Sequence, residues 1–207
     1  MKSEKLHKQN LKEPIFKPIF GKSWEALPPV FYKHYANRAN CLDTSIVEGK
    51  LDVMCKWFLK PSFWFLKVAP PYSEKNVSVS VHFTSQLDNS DFSFDRVFYF
   101  KNRVPFHFKS KMRQISGNEV REKMSYGICW HSLYSWEENQ VRLTHKGYSL
   151  SVGRFSFVLP ITWLIGRSDA YETAIDENSF YMCATITHPL FGKIYEYKGQ
   201  FKVVKEV

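Results

Sequence analysis

Apolar and polar positions alternate with a period of two along most of this chain, the mark of strands that bury one face. The clearest stretch runs from Phe180 to Val203, two alternating runs joined by His188-Pro189-Leu190-Phe191-Gly192. Phe180, Met182, Ala184 and Ile186 share a face of the first run. Tyr195, Tyr197, Gly199, Phe201 and Val203 share a face of the second. A lone hairpin of this kind is marginal, so it predicts further strands upstream to dock against.

Those strands are visible. Val47, Leu51, Val53 and Cys55 alternate with Glu48, Lys50, Asp52 and Lys56, and Gly49 between them predicts a bend or a bulge. Val77, Val79, Val81 and Phe83 make a second face; Phe92, Phe94, Arg96, Phe98 and Phe100 a third. Then follow Val104, Phe106, Phe108, Ser110 and Met112, and after a Ser116-Gly117-Asn118 turn, Val120, Glu122, Met124, Tyr126 and Ile128. Val141, Leu143 and His145 form another face. Gly147 then shifts the parity to Tyr148, Leu150 and Val152, as a bulge would. Phe155 to Leu164 is apolar without a clean period, and Pro160 limits it as a central strand.

Helical signals are short. Ser23 suits an N-cap for Trp24-Glu25-Ala26-Leu27, and Pro28-Pro29 can open a turn through Val30, Phe31, His34 and Tyr35. Pro61 predicts a short helix ending at Pro70-Pro71, apolar on nearly every side except at Lys60, Ser62 and Lys67. Within residues 57–69 this helix reads as core on the concave side of the sheet, with a lid over a cavity as the alternative. As an interfacial membrane anchor in its own right it would want a wider polar face than it offers. The expected class is α+β, mostly β: one curled antiparallel meander sheet, a partly closed barrel, with one or two short helices packed on it. Residues 1–18, with five lysines and two prolines, read as a flexible basic arm, and 19–207 as a single β-rich domain.

Composition sharpens this picture in two respects. Aromatic residues make up 17% of the 207 positions, which favours strands and large apolar interiors. Four scattered cysteines form no C-x-x-C pair and the N-terminus has no apolar core of a secretory signal, so a reducing cytoplasmic setting is expected. The formal charge of +9 favours anionic partners only in a general way.

The candidate chemistry lies where polar residues interrupt the inward faces. Arg96, Ser110, Glu122 and His145 all fall at positions that should be dry, and a buried ion demands a partner. Glu122 is the nearest carboxylate for Arg96 by pattern, with Glu172 the other. Tyr195, Tyr197 and Tyr148 bring hydroxyls to the same interior, and His188 stands before Pro189 at a turn. An Arg–Glu pair also serves as a simple tie between strands, and that alternative stands beside the functional one. On the opposite faces His107, Lys109, Lys111, Arg113, Arg121 and Lys123 form a basic patch, though no aromatic lies among them to stack bases. Phosphate-loop, dinucleotide, zinc-protease and nucleophile-elbow motifs are absent, and no histidine or cysteine spacing suits a metal; no cofactor is expected.

The order of Leu27-Pro28-Pro29 with His34, Phe94-Asp95-Arg96-Val97-Phe98, Glu122 before Gly127, His145-Lys146-Gly147-Tyr148, Leu159-Pro160 and Thr187-His188-Pro189-Leu190-Phe191-Gly192 through Tyr197-Lys198-Gly199 resembles the bacterial domain-of-unknown-function family 4166. The likeness runs from about Phe20 to Val203. It implies a one-domain module in which Arg96, Glu122, His145, Glu172 and His188 matter, and it implies no reaction. Family members often carry Trp where this chain has Phe94.

Three functional readings follow. The first is a module binding a hydrophobic or amphipathic, lipid-like small molecule against the 57–69 helix. Arg96 would meet an anionic head group, and Glu122, His145, Tyr148, Glu172, His188, Tyr195 and Tyr197 would complete the polar end. The second is an enzyme using Glu122 or Glu172 with His145 as acid and base. The third is a nucleic-acid or anionic-membrane binder using the outer basic face.

Overall fold

The computed structural model describes residues 13–207 with the exception of residue 88. Eleven strands form one antiparallel sheet. They are β1 (Thr44–Cys55), β2 (Glu74–Gln86), β3 (Asn89–Tyr99), β4 (Phe106–Ser116), β5 (Glu119–Lys123) and β6 (Ile128–Glu137), then β7 (Gln140–Val152), β8 (Phe155–Leu159), β9 (Arg167–Ala174), β10 (Ser179–His188) and β11 (Gly192–Lys205). Ten of them close into a barrel: β1 to β7 in order, then β9, β10 and β11, which returns to β1. β7 pairs with β6 along its length. Its first part, Gln140 to Leu143, pairs with β9, and its last, Tyr148 to Val152, pairs with β8, which stands outside the ring. Closure leaves the ring no free edge.

Because each strand reverses direction, the connections collect at two ends. One end carries the hairpin turns at 117–118, 138–139 and 175–178. The N-terminal segment plugs it with α1 (Lys17–Phe20), a 3-10 turn (Gly21–Ala26) and α2 (Pro29–His34). Phe16 packs on Phe92 and Tyr134, and Phe31 on Trp136 and Phe180, all residues of the plugged end. Phe16 and Phe31 are wholly buried, each worth about 1.5–3 kcal/mol. The other, open end carries 56–73, 100–105, 124–127, 153–166 and 189–191, with α3 (Lys60–Leu66) and α4 (Thr162–Ile165).

Two expectations change here. Residues 13–18, assigned to the arm, belong to the plug, since Ile15 and Phe16 are buried and the backbone N–H of Ile15 donates to Asn37; residues 1–12 lie outside the described ones. The 57–69 segment is core only in part: Phe63 and Ala69 are buried with Leu59 and Val68 packed beside them, Trp57, Trp64 and Phe65 are exposed, and the concave side is filled mainly from the opposite end by the plug.

The parity shift at Gly147 is a bulge. His131 faces Gly147 while Ser132 faces His145, which leaves Lys146 extra on β7. Gly49 sits in regular register opposite Phe201 instead, and its purpose is close approach: a Cβ there would lie 2.1 Å from the Gln200 carbonyl oxygen.

Candidate functional site

The period-two faces of the barrel strands enclose a cavity of about 390 Å³. Pockets that take small molecules run from about 300 to 1,000 Å³. Val47, Leu51, Val79, Val81 and Phe98 supply apolar wall, and His34, Tyr35 and Phe180 the floor above the plug. Leu59, Phe63 and Leu66, one face of the α3 segment at helical spacing, form the roof. Ser62 and Leu164 line the cavity and are also exposed, so it reaches solvent between α3 and α4.

Polar groups enter chiefly in two buried clusters, with Ser168, Asp169 and Thr185 also on the lining. In the first, parity brings Arg96 of β3, Ser110 of β4 and Glu122 of β5 to the same side of the wall. Arg96 Nη2 donates to Glu122 Oε1 at 2.9 Å, Arg96 Nη1 to Ser110 Oγ at 3.0 Å, and Ser110 Oγ to the same Glu122 oxygen at 2.6 Å. The guanidinium is sandwiched by Phe94 and Phe108, its carbon 4.5 and 4.7 Å from the ring centres. Burial, the largest single influence, works against its charge, but the Glu122 carboxylate with Tyr197 and Tyr134 together outweigh it and the Arg96 pKa is raised. The expected pair therefore exists and is closed on itself.

The second cluster joins the plug to the barrel. Tyr35 Oη donates to Glu172 Oε2 at 2.5 Å, and His34 Nε2 lies 3.7 Å from Glu172 Oε1. Burial, and then the Glu172 charge, raise the Tyr35 hydroxyl pKa well above its ordinary value. Tyr134 and Tyr197 feel both Glu122 and Glu172, so the clusters face one space; burial, chiefly, lifts Tyr197 to about 12. Two buried polar atoms of residues that line this cavity have no hydrogen-bond partner among the described residues: His34 Nδ1 and Tyr195 Oη. Native interiors leave few such atoms unserved.

Of the residues singled out from sequence, Arg96, Glu122, Tyr148, Glu172, Tyr195 and Tyr197 line the cavity. Tyr148 is engaged, donating to the Gly166 carbonyl at 3.1 Å and meeting Ser168 Oγ at 2.7 Å. His145 and His188 are not on its wall. Trp130 Nε1 donates to His145 Nδ1 at 3.1 Å, which leaves the proton on Nε2 to reach Thr162 Oγ1 at 3.1 Å. Burial lowers the His145 pKa, so the ring is a neutral tie between β6, β7 and α4. His188 Nδ1 accepts the backbone N–H groups of Leu190 and Phe191 and shapes that turn.

His34 and Tyr35 were missed as site residues. Their signal is the helical spacing Val30, Phe31, His34, Tyr35, which marks a buried face without saying what it meets. The outer basic face is partly neutralised: Asp95 lies 3.0 Å from His107 and 3.5 Å from Lys109, and Asp91 pairs with Arg113. Among the described residues no group of three His, Cys, Asp or Glu side chains comes together as metal ligands. No described helix is long and apolar enough to cross a membrane.

No curated protein and no solved structure matches the chain. A family model does, over residues 27–201, which span α2 and every strand of the barrel as far as Phe201. The chain belongs to the family described as "Domain of unknown function (DUF4166)".

Proposed function

We propose that the barrel binds an amphiphile, its apolar chain along the cavity wall and its polar group hydrogen-bonded by Tyr195 or His34. The observation that carries this reading is the pair of unserved atoms, Tyr195 Oη and His34 Nδ1, on residues only 2% and 4% exposed that both line a largely apolar cavity. A ligand hydroxyl or amine would satisfy them.

The charge inventory narrows the head group. The cavity lining holds three carboxylates, Glu122, Asp169 and Glu172, against one guanidinium, and both terminal nitrogens of Arg96 are already engaged. An added anion would meet a surplus of negative charge in a medium that screens it poorly. The preferred head group is therefore neutral or cationic, which departs from the acidic one that an inward arginine first suggests.

The test is displacement of Nile red by dodecanol, dodecylamine and laurate. The alcohol and the amine are expected to displace the dye and laurate to do so weakly. Tyr195→Phe should weaken the alcohol while leaving the fold as stable as the parent or slightly more so, because it removes a buried hydroxyl without a partner. Ala184→Trp, which fills the cavity from its wall, should abolish dye binding. Dye that binds equally well to Ala184→Trp, or does not bind the parent, overturns the proposal.

A further inference from the structure

The open end differs in kind from the rest of the surface. Trp57, Trp64 and Trp163 are 79%, 63% and 69% exposed there, with Phe65, Tyr126, Phe155, Phe157 and Phe191 beside them. These side chains form contiguous pairs: Trp57 on Phe58, Phe58 on Phe191, and Phe65 stacked on Tyr126. Exposed apolar clusters of this extent on a folded domain mark an interaction site.

Charge identifies what it meets. The connections at this end carry Lys56, Lys60, Lys67, Lys101, Arg103 and Arg154 and no Asp or Glu. None of the six is in ion-pair contact with a carboxylate among the described residues. The hairpin turns of the plugged end, at 117–118, 138–139 and 175–178, carry Glu138, Asp176 and Glu177 and no basic residue. The plug carries basic residues too, but Lys17, Lys33 and Arg38 are paired with Glu13, Glu206 and Asp43 and its Trp24 is buried, so exposed aromatic rings mixed with lysine and arginine that lack an ion-pair contact mark the open end. Tryptophan and tyrosine favour the boundary between head groups and acyl chains, and lysine favours anionic lipid.

We infer that the open end docks on an anionic phospholipid bilayer, α3 and β8 lying at the interface and the gap between Leu66 and Leu164 facing the lipid. The docking stands on this surface alone. Exchange of an amphiphile between bilayer and cavity additionally rests on the ligand reading above. The surface is distinct from the basic patch on the barrel side, where Asp91 and Asp95 already answer the charge.

The experiment is flotation of the full chain with vesicles of phosphatidylcholine alone or of equal parts phosphatidylcholine and phosphatidylserine. The chain should float with the mixed vesicles, much less with the neutral ones, and less as salt is added. Lys60→Glu/Lys67→Glu should cut the partition at least about five-fold for each lysine. Trp64→Ser/Phe65→Ser should also cut it, while Lys109→Glu/Lys111→Glu on the barrel side should not. All these positions are exposed, and far-UV circular dichroism confirms that each variant is folded. Ala184→Trp should float like the parent even with its cavity filled, which separates failure of docking from failure of ligand binding. No flotation with the mixed vesicles overturns the inference. So does greater sensitivity to the Lys109/Lys111 pair, or a dimer lost in Trp64→Ser/Phe65→Ser with no vesicle binding.

Discussion

Glu122→Gln is the most direct probe of the interior. The change keeps the shape and an acceptor for Ser110 and Arg96, and removes one charge. Arg96 cannot shed its proton in response, and its side chain is only 12% exposed, so water cannot take over. Two charges about 4 Å apart interact by about 4 kcal/mol at the effective dielectric that suits such sites. Stranding one member of a buried pair costs about 3–5 kcal/mol. Allowing for the hydrogen bonds that Gln keeps, we expect a loss of about 3 kcal/mol, or a melting temperature lower by about 6–12 °C for a domain of this size. The assay is equilibrium urea unfolding followed by tryptophan emission and far-UV circular dichroism, whose coincidence tests two-state behaviour. Arg96→Met/Glu122→Leu should recover most of the loss, because an apolar pair of similar volume leaves no stranded charge. Arg96→Met alone should be hurt less as pH falls, since a stranded carboxylate can take up a proton. A Glu122→Gln variant within about 0.5 kcal/mol of the parent, the behaviour of a surface change, would refute the reasoning.

Gly199→Ala tests the seam between β1 and β11: the new Cβ would lie 2.0 Å from the Lys50 carbonyl oxygen, so the strands must part, at about 1–3 kcal/mol read as a lower urea midpoint. A midpoint equal to the parent's contradicts that packing. His145 tests linkage. Burial holds its folded pKa below the unfolded value of about 6.5, so the unfolded chain binds the proton first as pH falls. The contribution of neutral His145 is thus present above that value and lost on acidification towards the folded pKa. His145→Gln should flatten the decline in stability below pH about 6.5, relative to the parent. Asp169 and Arg167, the charged groups that act on the ring, are present in both proteins, so parallel pH profiles would mean the ring is not held neutral.

Strand parity made much of the interior legible. A residue two places along a strand returns to the same side, so Arg96 among phenylalanines and Glu122 between Val120 and Met124 had to share an interior wherever the strands ran. The pairing then followed from the cost of a lone buried ion. The bulge at Lys146 was legible for the same reason, because Gly147 reverses which residues are apolar. Helices were less legible. The α3 segment and the plug both read as apolar with short helical spacing, and nothing local says which end of a barrel a helix will cap. Trp57 and Trp64 looked like core and are surface, while Phe16 looked like arm and is core. His34 and Tyr35 reach Glu172 only through that long-range choice, across 137 residues in the case of Tyr35. His188 and His145 had the chemistry of a site, yet backbone N–H groups, Trp130 and Thr162 had the prior claim on their nitrogens.

The hollow itself follows from strand number. Eight strands close into a barrel that inward side chains just fill, and each added strand widens it. Ten strands therefore leave an interior that Val, Phe and Tyr side chains from the wall cannot occupy alone. The chain fills part of this excess with Phe16, Phe31, His34 and Tyr35 entering from the plugged end. Among the described residues no second plug enters from the other side: α3 lends Phe63 to the interior and leaves Trp64 and Phe65 outside. A sequence selected only to close its core would turn those rings inward, where each is worth about 1.5–3 kcal/mol, and fill the cavity with them. Instead the largest side chains of the roof face solvent while two buried polar atoms beneath it go unserved. On the ligand reading proposed above, both departures from a filled core would have the same remedy, a molecule with an apolar chain and a polar end arriving through the open face of the barrel.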